Sequence, residues 1–320
     1  MTTGAKTSEC SEVFAVVRNI GRAGMGFGFG SIIDAWYDAR RVVLERYFDT
    51  RDEVALRYHA LRDMIRTHKP TSRIEYIEPP ITRVPEGVTV YAIGDVHGRA
   101  DLLRKLTDMI LEDASRQEDP NHRHAVVFLG DYIDRGFQSR EVIDLLVSDV
   151  FNGFETRFLK GNHEEALQTF LIDSSMGPKW ANFGGIETLV SYNVQPPRSR
   201  ESLEEWERAR QSLVQQMPDL HRDFLDNLEL CLVLGDYAFV HAGLRPGRPL
   251  EEQSESDLLW IRDEFLNDSR PFENIVVHGH TPIDTPHRDY RRIGVDTGAY
   301  MSGQLSAVRL CGEDVSFLST

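Results

Sequence analysis

Cysteine is scarce in this 320-residue chain. Cys10, Cys231 and Cys311 are far apart, odd in number and without CxxC spacing. That excludes a disulfide framework and a thiolate zinc site, and it predicts reduced thiols in a reducing compartment. Long apolar runs are missing as well. Near the N-terminus only Val13 to Val17 is apolar before Arg18 and Asn19 intervene. Five residues are too few for a signal-peptide core or a membrane span, so a cytoplasmic chain with no integral membrane segment is expected. Positive charge is in deficit: 36 Lys+Arg against 51 Asp+Glu give a net charge of -15. Such a surface argues against a dedicated nucleic-acid binder, whose affinity comes mostly from neutralised phosphates. A small phosphorylated substrate stays open, because beyond about 8 Å screening makes a local cationic site outweigh the global sum. With 41% hydrophobic and 27% charged residues, the chain is neither low-complexity, nor collagenous, nor a polytopic membrane protein.

No internal repeat is present. Residues 21–30, GRAGMGFGFG, are glycine-rich, but the spacing fits a dinucleotide fingerprint poorly. A linker carrying Met25, Phe27 and Phe29 is the expected reading. Ile32 to His68 is rich in helix formers, with Trp36, Val43 and Tyr47 near one face. Pro79-Pro80 and Pro85 then make a stiff connector. Residues 1–84 are therefore expected to form a flexible and helical N-terminal arm, open to a protein partner. Residues 85–320 form the main domain.

From Val88 onward short apolar runs alternate with helical stretches. VTVYAI (88–93), AVVFLG (125–130) and TRFLKG (156–161) are each followed by a helical pattern, as in parallel βαβ units. Residues 165–227 read as a helical insert over one edge. LCLVL-GD-YAFVH (230–241) reads as a hairpin. IVVHG (275–279), RIGVD (292–296), QLSAVRL (304–310) and VSFL (315–318) complete the strands. The fold class is α/β, a sandwich of mixed sheets flanked by helices.

Polar clusters stand at the ends of those strands: GDVHG (94–98), GDYIDRG (130–136), GNHE (161–164), HAG (241–243) and HGHT (278–281). Open α/β sheets place ligands outside the carboxyl ends of their strands. Asp, His and Asn without thiolate suit Mn, Fe or Zn. Asp95 and His97 are two apart, so in an extended strand end both point to one side and can chelate one ion. Asp131 can bridge two ions about 3.5–4 Å apart. A single such Asp or His is usually a cap or a packing residue; five motifs in order point to a metal site instead. His59, His68, His122, His124, His221 and His287 read as ordinary surface residues. Arg99 reads as a solvated arginine at a helix start, and Arg262 as either packing or substrate contact.

The five motifs in this order resemble the phosphoprotein phosphatase branch of the calcineurin-like metallophosphoesterases, over about residues 86–300. The resemblance implies a calcineurin-like sandwich, with 85–320 as its catalytic domain, and a centre of two divalent ions. Manganese is implied for bacterial members, with iron or zinc as alternatives. It places Asp95, His97 and Asp131 on one ion, and Asp131, Asn162, His241 and His280 on the other. It makes His163 the general acid and Asp134 the acceptor of its imidazole N–H. Arg135 and, by the Trp260-Ile261-Arg262 match, Arg262 become phosphate clamps, with Asn162 also a substrate contact. His278 carries no implied role. Pro282 follows HGHT, as in the phosphoprotein phosphatase branch, where the wider superfamily has a second His; Asp296-Thr297-Gly298-Ala299-Tyr300 in place of the eukaryotic SAPNY marks a bacterial-type member.

The function implied is a phosphomonoesterase using a metal-bridging hydroxide, first of all a serine/threonine protein phosphatase. The alternatives are a symmetrical dinucleoside tetraphosphate hydrolase or another small-molecule or phosphotyrosine phosphatase. A non-catalytic phosphate-binding scaffold is the non-enzyme reading, disfavoured by the intact ligand set. Trp180, Phe183 and Tyr192 of the insert are candidates for apolar walls or for core packing.

Overall fold

The computed structural model describes residues 80–320. The glycine-rich segment, the helical arm and His59 and His68 lie outside the described residues. Strand β1 (Val88–Ile93) is buried at all six positions. Helix α1 (Ala100–Ala114) follows and buries Leu102, Leu103, Leu106 and Ile110. Strand β2 (Arg123–Phe128), helix α2 (Ser139–Leu146), strand β3 (Glu155–Phe158) and helix α3 (Asn162–Ile172) repeat the unit. Because each crossover runs through a helix, β1, β2 and β3 pair in parallel. Helix α3 starts at Asn162. The Glu164 carboxylate accepts the Gly161 N–H at 2.9 Å and so closes the first turn from its third position.

The insert is helical as expected. It comprises α4 (Gly177–Phe183), α5 (Gly185–Ser191), α6 (Leu203–Gln216) and α7 (Asp219–Asp226). Strands β4 (Cys231–Leu234) and β5 (Tyr237–Val240) then form the expected hairpin around Gly235-Asp236. Two short helices, α8 (Glu255–Trp260) and α9 (Asp263–Leu266), precede β6 (Ile275–His278). The two-residue β7 (His287–Arg288) pairs with β8 (Arg292–Gly294). One helical turn, α10 (Ala299–Ser302), leads to the closing hairpin of β9 (Ser306–Cys311) and β10 (Asp314–Ser319).

The strands make two five-stranded mixed sheets, ordered β10-β9-β1-β2-β3 and β4-β5-β6-β8-β7. Alternate residues face the layer between them: Val90, Ala92 and Val127 from one sheet, Phe239, Val277 and Ile293 from the other. On the second sheet's outer face Val240 and Val276 pack against Leu258 and Phe265. Each fully buried aliphatic or aromatic side chain stabilises the sandwich by about 1.5–3 kcal/mol. The carboxyl ends of β1, β2, β3, β5, β6 and β8 carry the polar motifs.

Two readings of single residues need correction. His221 is buried, not a surface residue. Its ring joins Tyr192 Oη (2.8 Å) to Asp144 Oδ1 (2.9 Å) and ties α7 to α5 and α2. Arg99 is not solvated: it forks onto Asp101 and donates to the Ala299 carbonyl at 2.9 Å.

At the other boundary, Thr82 Oγ1 hydrogen-bonds Tyr237 Oη at 2.8 Å, and Val84 joins the inter-sheet core. The Arg83 N–H donates to Asp236 Oδ2 at 2.8 Å. The sandwich thus uses the chain from Thr82 on. A chain starting at Pro80 should hydrolyse a small aryl phosphate as the full chain does. Starting instead at Glu86 should lower the melting temperature, since it strands the Tyr237 hydroxyl and empties the Val84 site, each worth about 1–3 kcal/mol.

Candidate metal centre

The first two motif loops are zipped together through backbone. The Asp131 carbonyl accepts the N–H groups of Val96 (3.1 Å) and His97 (2.9 Å), and the Tyr132 carbonyl accepts that of Gly98 (2.8 Å). The Glu164 carboxylate holds the second loop from below, accepting the N–H of Asp131 (2.9 Å) and of Tyr132 (2.8 Å). These loops are tightly bent. His97, Asp131, Asp134, Arg135 and His280 have φ between 46° and 69°, a region that non-glycine residues occupy only when the surroundings hold them there. The expected extended geometry for Asp95 and His97 is therefore absent. They follow β1 as a loop, yet still meet, with Asp95 Oδ2 4.0 Å from His97 Nε2.

Asp131 stands at the centre. Its Oδ2 lies 3.6 Å from His97 Nε2 and 3.7 Å from His163 Nε2, and its Oδ1 lies 3.4 Å from His241 Nε2. Two donor groups result, His97–Asp131–His163 and Asp131–His241–His280, all buried. Asn162 Oδ1 lies 2.9 Å and His280 Nδ1 3.2 Å from His241 Nε2. Asp95 accepts the His280 N–H with both oxygens (3.1 and 3.0 Å), which joins the two sheets across the centre.

The donor chemistry fits divalent ions. His97 Nδ1 contacts the Ile133 carbonyl at 2.9 Å, and His241 Nδ1 the Leu129 carbonyl at 2.8 Å. Each Nδ1 therefore carries the proton, and each Nε2 presents a lone pair inward. The His241 lone pair then faces the acceptor oxygens of Asn162 and Asp131 with no proton between them. Such a convergence of acceptors is satisfied by a cation. Burial also keeps the imidazoles neutral. It lowers His97 and His163 well below the usual histidine range and lowers His241 to about 4. The carboxylates move the other way: burial raises Asp131 to about 7, and burial plus the neighbouring Asp296 and Asp131 raise Asp95. Bound divalent charge reverses that penalty.

Around this centre sit the remaining expected residues. His163 Nδ1 donates to Asp134 Oδ2 at 2.7 Å. Asp134 is buried and fully used, accepting Trp180 Nε1–H on Oδ2 (2.9 Å) and the Thr188 hydroxyl on Oδ1 (2.6 Å). Arg135 Nη2 donates to His163 Nε2 at 3.2 Å. Arg262 donates to Thr281 Oγ1 at 3.3 Å; burial and then the Arg135 guanidinium lower its pKa. Of the proposed apolar walls, Trp180 and Tyr192 are core residues, and Phe183 alone lies by the centre, 5.8 Å from the His163 ring. His278 is buried behind the site, near Arg292 Nη1 at 3.1 Å. Sequence reasoning assigned no role to Glu164, Asp296, Thr188 or Tyr300. Glu164, Asp296 and Tyr300 lay inside quoted motifs, so their signal was present.

Gly161 is needed for space, not for its backbone angles. A Cβ there would overlap Asp131 Oδ1 and the Asp131 backbone nitrogen. Gly161→Ala should push the central carboxylate aside and cost about 10–100-fold in metal affinity, as loss of a ligand's supporting partner does. Bound metal measured after dialysis against limiting ion checks this.

A family model described as calcineurin-like phosphoesterase matches residues 88–309. The bis(5'-nucleosyl)-tetraphosphatase PrpE (asymmetrical) of Halalkalibacterium halodurans is 29% identical over 243 residues, covering 71% of this chain and 91% of that protein. The protein of the same name from Anoxybacillus flavithermus is 28% identical over 236 residues, covering 68% and 88%. A protein serine/threonine phosphatase from Saccharomyces cerevisiae shows a TM-score of 0.43 and 16% identity, covering 88% of this chain and 94% of that one.

Proposed function

The chain belongs to the calcineurin-like phosphoesterase family, and from that premise we propose that it is a metal-dependent phosphohydrolase of small phosphorylated molecules, dinucleoside polyphosphates first. One observation carries the reaction class. Two buried donor groups share Asp131, and two arginines, Arg135 and Arg262, stand beside them. The relatives' names favour the small-molecule alternative over the serine/threonine phosphatase that the motifs first suggest. They also name asymmetrical cleavage, where the sequence reading had the symmetrical enzyme.

In this reading Asp95, His97 and Asp131 hold one ion, and Asp131, Asn162, His241 and His280 the other. Divalent ions held there, manganese being the first to try, would supply Lewis acidity and make water more acidic at neutral pH. The guanidinium groups of Arg135 and Arg262 take non-bridging phosphate oxygens, where charge builds up as the bond breaks. When Arg135 turns to the phosphate it frees His163 Nε2, which would take a proton from water in the site and pass it to the leaving oxygen. Asp134 keeps that ring in line through its 2.7 Å bond to Nδ1.

The test is turnover of diadenosine tetraphosphate and of a phosphoserine peptide by the manganese-loaded full chain. The dinucleotide should have the higher kcat/KM, with ATP and AMP as products on chromatography. Two ADP molecules would return the symmetrical reading, and a preferred peptide the protein phosphatase.

A further inference from the structure

The Tyr300 ring lies between two residues of the centre. It is 4% exposed and sits on α10, beyond β8. One neighbour is the His97 imidazole, edge-on at 5.3 Å and 85°. Another is the Arg135 guanidinium, whose central carbon lies 4.6 Å from the ring centroid. An aromatic face attracts a guanidinium at this distance, and the attraction grows as water is excluded.

The turn that carries Tyr300 is itself held. Asp296 Oδ1 accepts the Gly298 N–H at 2.8 Å, and Thr297 Oγ1 donates to the Gln304 carbonyl at 2.8 Å. Arg99, forked onto Asp101 of α1, donates to the Ala299 carbonyl at 2.9 Å. The ring is thus fixed from two elements. Arg135 needs such a support. Its backbone is left-handed, with φ 66°, and the Gly184 backbone crosses so close that a Cβ there would strike it. Its tip contacts His163 Nε2, and its guanidinium carbon lies over the Tyr300 face.

We propose that Tyr300 is a positioning residue: its ring is the platform that holds the Arg135 guanidinium beside the Asp131 centre, ready for a phosphoryl oxygen. The inference rests on the phosphohydrolase reading. A guanidinium held over an aromatic face can turn from His163 to an incoming oxygen and keep the ring beneath it. Long arginine side chains lose much rotamer freedom on binding, and a preformed platform removes part of that cost before substrate arrives. The ring, not the hydroxyl, performs this task.

The test uses the full, metal-loaded chain with Tyr300→Leu, Tyr300→Phe, Arg135→Lys and the Tyr300→Leu/Arg135→Lys double variant. The readouts are KM and kcat for nitrophenyl phosphate, inhibition by inorganic phosphate, and bound metal. Tyr300→Leu should raise KM and the phosphate inhibition constant by about 2–30-fold, the range of one cation–π contact, with kcat changed less and metal content unchanged. Tyr300→Phe should recover most of that loss. The double variant should be little worse than Arg135→Lys alone, because the ring then has no guanidinium to hold. Additive losses in the double variant, a Phe variant as weak as Leu, or metal loss in Leu would each overturn the positioning role. Should Tyr300→Leu fail to fold, Tyr300→Met takes its place as the ring-less variant through the same KM readout. A native chain that binds no phosphate with its metal in place would overturn the phosphohydrolase reading, and this proposal with it. An unchanged Tyr300→Leu in an active enzyme overturns this proposal alone.

Discussion

Asp131→Asn should lower hydrolysis by more than about 10³-fold, beyond what removing one electrostatic contact costs. Asp131 alone among the described residues belongs to both donor groups. The substitution removes one acceptor oxygen and its charge, and aims an amide N–H₂ at lone pairs of His97 or His241. Bound metal should fall with activity, as elemental analysis after dialysis would show. Near-native activity with a full complement of metal would end the shared-carboxylate reading. The metal-free chain gives a second result of opposite sign. Burial raises the Asp131 pKa to about 7 in the folded state. The folded chain therefore keeps a proton that the unfolded chain has released, and stability falls as pH rises from about 4 to about 7. Asn has no such titration. Without metal, Asp131→Asn should be the more stable chain at pH 8 and show the smaller fall in melting temperature between pH 5 and pH 8. With metal in excess the order should reverse, since only the native carboxylate gains the binding energy.

Much of this centre was legible because the residues proposed as its ligands sit within a few residues of strand ends. In GDVHG and GDYIDRG the strand supplies the position and the glycine the bend, so motif and geometry coincide. The local backbone was less legible. Two-residue spacing places Asp95 and His97 together only along a strand, and here a left-handed His97 in a loop brings them together instead. The supporting residues were hidden for a different reason. Trp180 and Thr188 meet Asp134 across 46 and 54 residues of chain, and Arg99 meets Ala299 across 200. Such contacts arise when layers pack, and no local period announces them. His221 was misread for the same cause: α7 is amphipathic and polar in composition, and burial comes from Tyr192 and Asp144 on other helices. The strand His287–Arg288 is too short to show any alternation.

His163→Asn separates two roles that the geometry places side by side. The ring belongs to one donor group through its 3.7 Å approach to Asp131, and it also has the partner of a general acid in Asp134. An acid is needed in proportion to the basicity of the leaving oxygen. A serine alkoxide needs a proton badly, the polyphosphate chain of a dinucleotide much less, and a nitrophenolate least. General acid catalysis contributes about 10²–10⁴-fold, so phosphoserine turnover should drop by an amount in that range. Dinucleotide turnover should drop less, and nitrophenyl phosphate turnover least of all, with metal content unchanged. Asp134→Asn should follow the same order more weakly, although removing an acceptor from Trp180 and Thr188 will also cost stability. Asn162→Ala should instead harm all three substrates alike and lower bound metal, because its oxygen faces His241 inside the second donor group. If His163→Asn harms all three substrates equally and loses metal, His163 is a ligand and the proton donor lies elsewhere. If it harms them equally and keeps metal, the ring binds phosphate, and the Arg135 contact at 3.2 Å becomes the feature to pursue.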